Sequence, residues 1–119
     1  MKLNIIVEGR SNAFEVPDGL LSEAKDFFDK LDEDMSNGWQ MSRDWVESPT
    51  AEQRCQIAGD KILTAIDTDN EKMLMLMVAY ILRTSPGVKT INIDVTGDMN
   101  ETELIMEHDS VRPLGPIFN

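Results

Sequence analysis

A chain of 119 residues is long enough to bury one hydrophobic core without disulfides or metals, and it is expected to form one cooperative unit. Its 41% hydrophobic and 28% charged content argue against wholesale disorder, while 22 acidic against 11 basic residues leave a formal net charge of −11. Such a field repels phosphate backbones and anionic headgroups, so nucleic acid and membrane are poor candidate partners; solubility, or the docking of a basic protein, fits it better.

Leu3, Ile5 and Val7 recur at period two, Gly9-Arg10-Ser11-Asn12 reads as a turn, and Phe14 and Val16 resume the alternation. This pattern predicts a β-hairpin ended by Pro17. Asp18 is then placed to cap a helix whose inner face carries Leu20, Leu21, Ala24, Phe27, Phe28, Leu31 and Met35, with Asn37-Gly38 as its stop. The outer face holds Asp29, Asp32 and Glu33, which read as solvated carboxylates late in a helix, where they oppose the macrodipole. They form either a plain wet face or an acidic docking surface for lysine and arginine.

Both tryptophans lie in the short segment from Trp39 to Val46. The plain reading is a connector turn whose indoles cover the core; the sharper one is a recognition patch of Trp39 and Trp45 with Arg43 between them. Ser48-Pro49, with an overlapping Thr50/Gln53 capping box, starts a second helix. Cys55, Ala58, Ile62, Ala65 and Ile66 make its stripe, Gly59 permits close approach, and Ile57 falls off the stripe. After the break at Asp67-Thr68-Asp69-Asn70, Thr68 and Glu71 match a capping box for a central helix running to about Thr84.

That helix contains ten successive apolar or aromatic residues, Met73 to Leu82, which leave no polar stripe and demand cover on nearly every side. Ten residues span about 15 Å, half of a bilayer core, so the segment reads as a core helix or as half of an interface. Beyond Ser85-Pro86-Gly87 the period returns to two: Ile91, Ile93 and Val95 face one way, and Thr90, Asn92 and Asp94 the other. The turn at 96–100 and the alternation from Thr102 to Glu107 predict a second hairpin, with a short helix as the alternative. The order of elements predicts an α+β domain over 1–108. Its small, mostly antiparallel sheet is built from the N-terminal and C-terminal hairpins, with about three helices on one face. Residues 109–119, with two prolines, are expected to be a loose tail.

Nucleophilic chemistry would have to use Cys55 and His108, the one cysteine and one histidine of the chain. Cys55 lies on an inward stripe, where a thiol serves as an apolar filler, and His108 reads as a surface residue near the end. Two such residues make no zinc motif, and neither a Gly-x-Gly-x-x-Gly nor a phosphate-loop pattern occurs, so no cofactor is expected. Asn92, Asp94, Thr96 and Glu103 approach the oxygen spacing of a calcium loop, but they follow a strand pattern where an entering helix belongs. A single cysteine excludes an intrachain disulfide, and the N-terminal apolar run is too short for a signal-peptide core, so a cytoplasmic setting is expected. The expectation is therefore a non-catalytic, acidic protein acting through protein–protein interaction or self-association as a homodimer. Its contacts would come from Trp39, Arg43 and Trp45 or from Asp29, Asp32 and Glu33. The rival class is a small enzyme using Cys55 and His108, or a divalent-ion-binding protein using the Asn92–Glu103 loop.

Overall fold

The computed structural model describes residues 1–106. In chain order the elements are β1 (Lys2–Val7), β2 (Arg10–Glu15), α1 (Leu20–Glu23), α2 (Lys25–Ser36), β3 (Trp39–Met41), β4 (Asp44–Val46), α3 (Ala51–Asp67), α4 (Glu71–Thr84), β5 (Val88–Ile93) and β6 (Glu103–Met106), with a 3-10 turn at Met99–Glu101. The architecture is α+β, as the order of periods predicts. The tail assigned to 109–119 lies outside the described residues, as does His108.

The sheet runs in the order β2-β1-β5-β6. Its two outer pairs are antiparallel hairpins, and the central β1–β5 pair that joins them is parallel, with Ile5 opposite Ile91 and Val7 opposite Ile93. Glu8 and Gly9 turn the first hairpin with φ of 53° and 79°, the left-handed pair whose twist suits a two-residue loop. Leu3, Ile5, Ile91 and Ile93 form the buried face. The other face carries Asn4, Ile6, Ser11, Ala13 and Asn92, none of them buried. Thr90, expected to be wet, is buried because Asn4 and Ile105 flank it on that face.

Helix α3 lies on the buried face of the sheet. A Cβ built on Gly59 would meet Ile91 Cδ1 at 3.3 Å and Thr102 Cγ2 at 3.4 Å, so glycine lets the helix backbone settle onto β5 and the residue that leads into β6. With the sheet below it and α4 alongside, α3 is covered on two flanks, which explains why Ile57, off the expected stripe, is 1% exposed. The Thr50/Gln53 capping box is present in both directions, at 2.9 and 3.1 Å. Helix α4 is the core helix expected: Met77 to Ile81 are each at most 1% exposed, and five successive residues at 100° intervals point all the way round the axis. Its first turns are less covered, Met73 to Leu76 being half-buried.

Four local readings are corrected. The helix expected from Leu20 to Met35 is broken at Ala24 (φ −98°, ψ 15°), so that Leu20 and Leu21 sit on a separate turn against α4. Its N-cap is Gly19 in the left-handed region, not Asp18. Asn70, not Thr68, caps α4, its side chain accepting from the Met73 N–H at 3.0 Å; α3 runs on to Asp67, which makes Thr68 its C-cap, the hydroxyl donating to Thr64 O. The segment from Trp39 to Val46 is a two-stranded β3–β4 hairpin with its own register, not a connector turn.

The close approach at Gly59 sets a steric test. Gly59→Leu is expected to lower the unfolding free energy by about 2–3 kcal/mol, because the helix must lift from the sheet. Gly59→Ala, needing shifts of a few tenths of an ångström, should change it by less than about 1 kcal/mol. Denaturant unfolding of both variants measures the difference.

Candidate functional site

Asp32 is a carboxylate bonded to side chains of two other helices. It accepts from the Tyr80 hydroxyl, from Arg54 Nη1 at 3.1 Å and from Arg83 Nη1 at 3.1 Å, while Arg83 Nη2 reaches Asp29 at 2.9 Å. The network ties α2, α3 and α4 together. Burial opposes the charged form of Asp32, yet the hydrogen bonds from Tyr80, Arg83 and Arg54 outweigh it and hold its pKa below the ordinary carboxylate value. Tyr80 is shifted upward, by burial first and then by its bond to Asp32. Asp32 is thus not the solvated carboxylate expected, and Asp29 is shared between Lys25 and Arg83; Glu33 is exposed. Sequence reasoning missed Arg54, Tyr80 and Arg83 because their partner is 22 to 51 positions away. A depression of about 450 Å³ opens beside the network, lined by Asp32, Pro49, Arg54, Arg83 and Thr84. Both guanidinium groups facing it already serve carboxylates, so the arrangement acts as a clamp between helices.

Cys55 is fully buried, its Sγ 3.9 Å from Ile81 O, and burial pushes its thiol up to about 12. A thiol held neutral in the core has neither the charge nor the access of a nucleophile. The residues of the proposed cation loop are spread over a strand, a turn and a strand: Asn92 and Glu103 are paired across β5 and β6. Asp94 accepts from the backbone N–H groups of Thr96 and Asp98 at 2.9 and 3.1 Å and so builds the turn itself. Among the described residues, no three His, Cys, Asp or Glu side chains gather as a metal ion would require. No helix among them is long and apolar enough to cross a membrane.

The two tryptophans are placed differently. Trp39 pairs with Val46 and Gln40 with Trp45, so the indoles project from opposite faces of the β3–β4 hairpin. Trp39 is half-buried with Lys61 Nζ 5.0 Å from its ring centre, a cation–π contact. Trp45 is 59% exposed, yet its position is fixed: a Cβ on Gly38, itself at φ 101°, would clash with the indole. Ser42, between the strands, adopts φ 60°; its hydroxyl donates to Gly97 O at 3.1 Å and accepts from the Met99 N–H at 2.9 Å. The hairpin is thereby fastened to the 94–101 loop, and Arg43 lies in the shallow depression between them with Asp44 and Asp98.

Since the folded pKa of Asp32 lies below the unfolded one, its contribution to stability is present above the ordinary pKa of about 3.9 and is lost as pH falls through the lower folded value. Asp32→Asn is expected to cost about 1–3 kcal/mol at pH 7 and to flatten the acid limb of the stability profile, as measured by denaturant unfolding between pH 2 and 7. Labelling by an aromatic disulfide reagent should leave Cys55 unmodified in the native protein and modify it fully in denaturant; rapid native labelling would contradict its burial. No family model, curated protein or solved structure gives a significant match to this chain.

Proposed function

We propose that this is a protein without an active site of its own, which works by docking on another protein through the β3–β4 hairpin. The observation that carries this reading is Trp45. A large aromatic side chain, more than half exposed, is held against Gly38 on a hairpin that Ser42 fastens to the neighbouring loop. Tryptophan contributes more than most residues to binding when it enters a partner's pocket, and a side chain already fixed loses little rotamer freedom in doing so. Arg43 beside it adds a planar donor, and Trp39 anchors the hairpin from its inner side through Lys61.

The buried thiol supports a non-catalytic role, because the one cysteine of the chain is packing material. It also accords with a reducing, cytoplasmic setting. Asp29 and Asp32 are committed to the chain's own arginines, which leaves Glu33 as the member of the acidic set expected to dock a partner that has no ion pair among the described residues. A second copy is the less favoured partner, since two chains of net charge −11 repel each other.

Affinity capture from lysate of the source organism, comparing the wild type with Trp45→Ala, tests this reading. A stoichiometric partner retained at high salt by the wild type and reduced at least about tenfold by the variant is expected, tenfold corresponding to about 1.4 kcal/mol. Circular dichroism should be unchanged, because the substituted side chain is exposed. Equal capture by the two proteins would overturn the role of the hairpin.

A further inference from the structure

The largest apolar side chains exposed on α3 and the β5–β6 connection meet at one end of the molecule. There the parallel strands β1 and β5 finish beside the last turns of α3. Ile66 is 43% and Val95 46% exposed, and with Val7, Leu63 and Met99 they line two grooves of about 340 and 250 Å³. The grooves share Leu63, Asp67 and Val95, so they form one continuous trough with an apolar floor.

Its rim is acidic. Glu8 lines one groove, Asp60, Asp94 and Asp98 the other, and Asp67 both. None of these five carboxylates enters an ion pair among the described residues, in contrast to Asp29, Asp32 and Asp34 on α2. Asp94 and Asp98 accept hydrogen bonds within their turn, and the pKa of Asp94 is lowered, by the Thr96 side chain before any other cause. Asp67 is also the last residue of a 17-residue helix with no basic side chain in its final turn, so it adds its charge to the negative end of the macrodipole. The nearby cations form no ion pair with the rim among the described residues: Lys61 lies over Trp39, and Arg10 is opposite Val7 in the hairpin register.

We propose that this trough binds a short basic amphipathic segment of another protein, with two or three apolar side chains on the Leu63–Ile66–Val95 floor and lysines or arginines against the rim. Charge complementarity selects this occupant. A second copy would bring acids against acids, and an ion would need carboxylates gathered at one point, whereas no such group exists among the described residues. A cationic segment relieves the uncompensated end of α3 while its apolar side chains cover Ile66 and Val95. The inference rests on the interaction reading above and supplies the chemistry of the partner.

The test uses a synthetic 14-residue helical peptide of leucines and lysines, titrated into isotopically labelled full-length protein and followed by amide resonances. Saturable shifts at Val7, Leu63, Ile66 and Val95 are expected, together with affinity that falls as salt rises. Ile66→Ser combined with Val95→Ser, both at exposed positions, should weaken binding at least about tenfold. Asp67→Lys should weaken binding by more than the two- to five-fold typical of one exposed pair, and at the same time raise the melting temperature by complementing the helix dipole. Opposite movement of affinity and stability is what a merely structural aspartate would not give. Tight binding of a lysine peptide without leucines, or shifts centred on α2, would overturn the trough while leaving the hairpin reading intact. Capture unaffected by Trp45→Ala, together with saturable binding of the leucine–lysine peptide in the trough, would do the reverse.

Discussion

The hydroxyl of Tyr80 sets the constraint on which the helical layer depends. Tyr80 lies within the fully buried stretch of α4, and an unsatisfied hydroxyl there would cost about 1–3 kcal/mol. Asp32 accepts its hydrogen bond, but a carboxylate drawn toward the core needs positive partners, and Arg54 from α3 and Arg83 from α4 supply them. One polar atom in the core thus fixes the relative positions of three helices. Phe28 completes the arrangement, its ring 6.1 Å from that of Tyr80 and 5.5 Å from the Arg83 guanidinium.

Signals that act over a few residues were legible in the sequence. Period-two alternation located β1, β5 and β6, the run from Met73 to Leu82 identified the core helix, and the Thr50/Gln53 box fixed the start of α3. The turn read at Gly9–Asn12, by contrast, lies at Glu8–Gly9, so that β2 already begins at Arg10. What else failed depended on distant parts of the chain. The solvated reading of Asp32 overlooked Arg54 and Arg83 because nothing local links a carboxylate to a guanidinium two helices away. The β3–β4 hairpin escaped because three-residue strands are too short to show alternation, and what holds their turn is Ser42 bonding to a loop 55 positions on. The parallel joining of the two hairpins likewise has no local signature, since it is set by how the helices bring β5 back beside β1.

The acidic composition divides into two populations with different physics. On α2 three of the five carboxylates are compensated: Asp29, Asp32 and Asp34 each meet a lysine or arginine, and the unfavourable position of acids late in a helix is offset by cations from the same helix, α3 and α4. At the far end of α3 no carboxylate enters an ion pair among the described residues. Net charge of −11 therefore includes a group of carboxylates, Asp60, Asp67, Asp94 and Asp98, that line one groove together with the apolar side chains Leu63, Val95 and Met99.

An isolated exposed isoleucine needs no explanation, and a single aspartate at a helix end costs only a few tenths of a kcal/mol. Their coincidence is more informative. A sequence selected for stability alone would end α3 on lysine and place polar residues at 66 and 95, and each change is open to it without disturbing the core. Instead Ile66, Asp67 and Val95 depart from the favourable choice together, around one trough, at the end of the sheet to which Ser42 also fastens the hairpin bearing Trp45. Departures from local rules concentrate where a surface must satisfy a second molecule as well as its own fold. The hairpin and the trough are joined through the 94–101 loop, so a partner reaching both would meet a fixed aromatic anchor and an acidic apolar seat held in constant register by two hydrogen bonds of one serine.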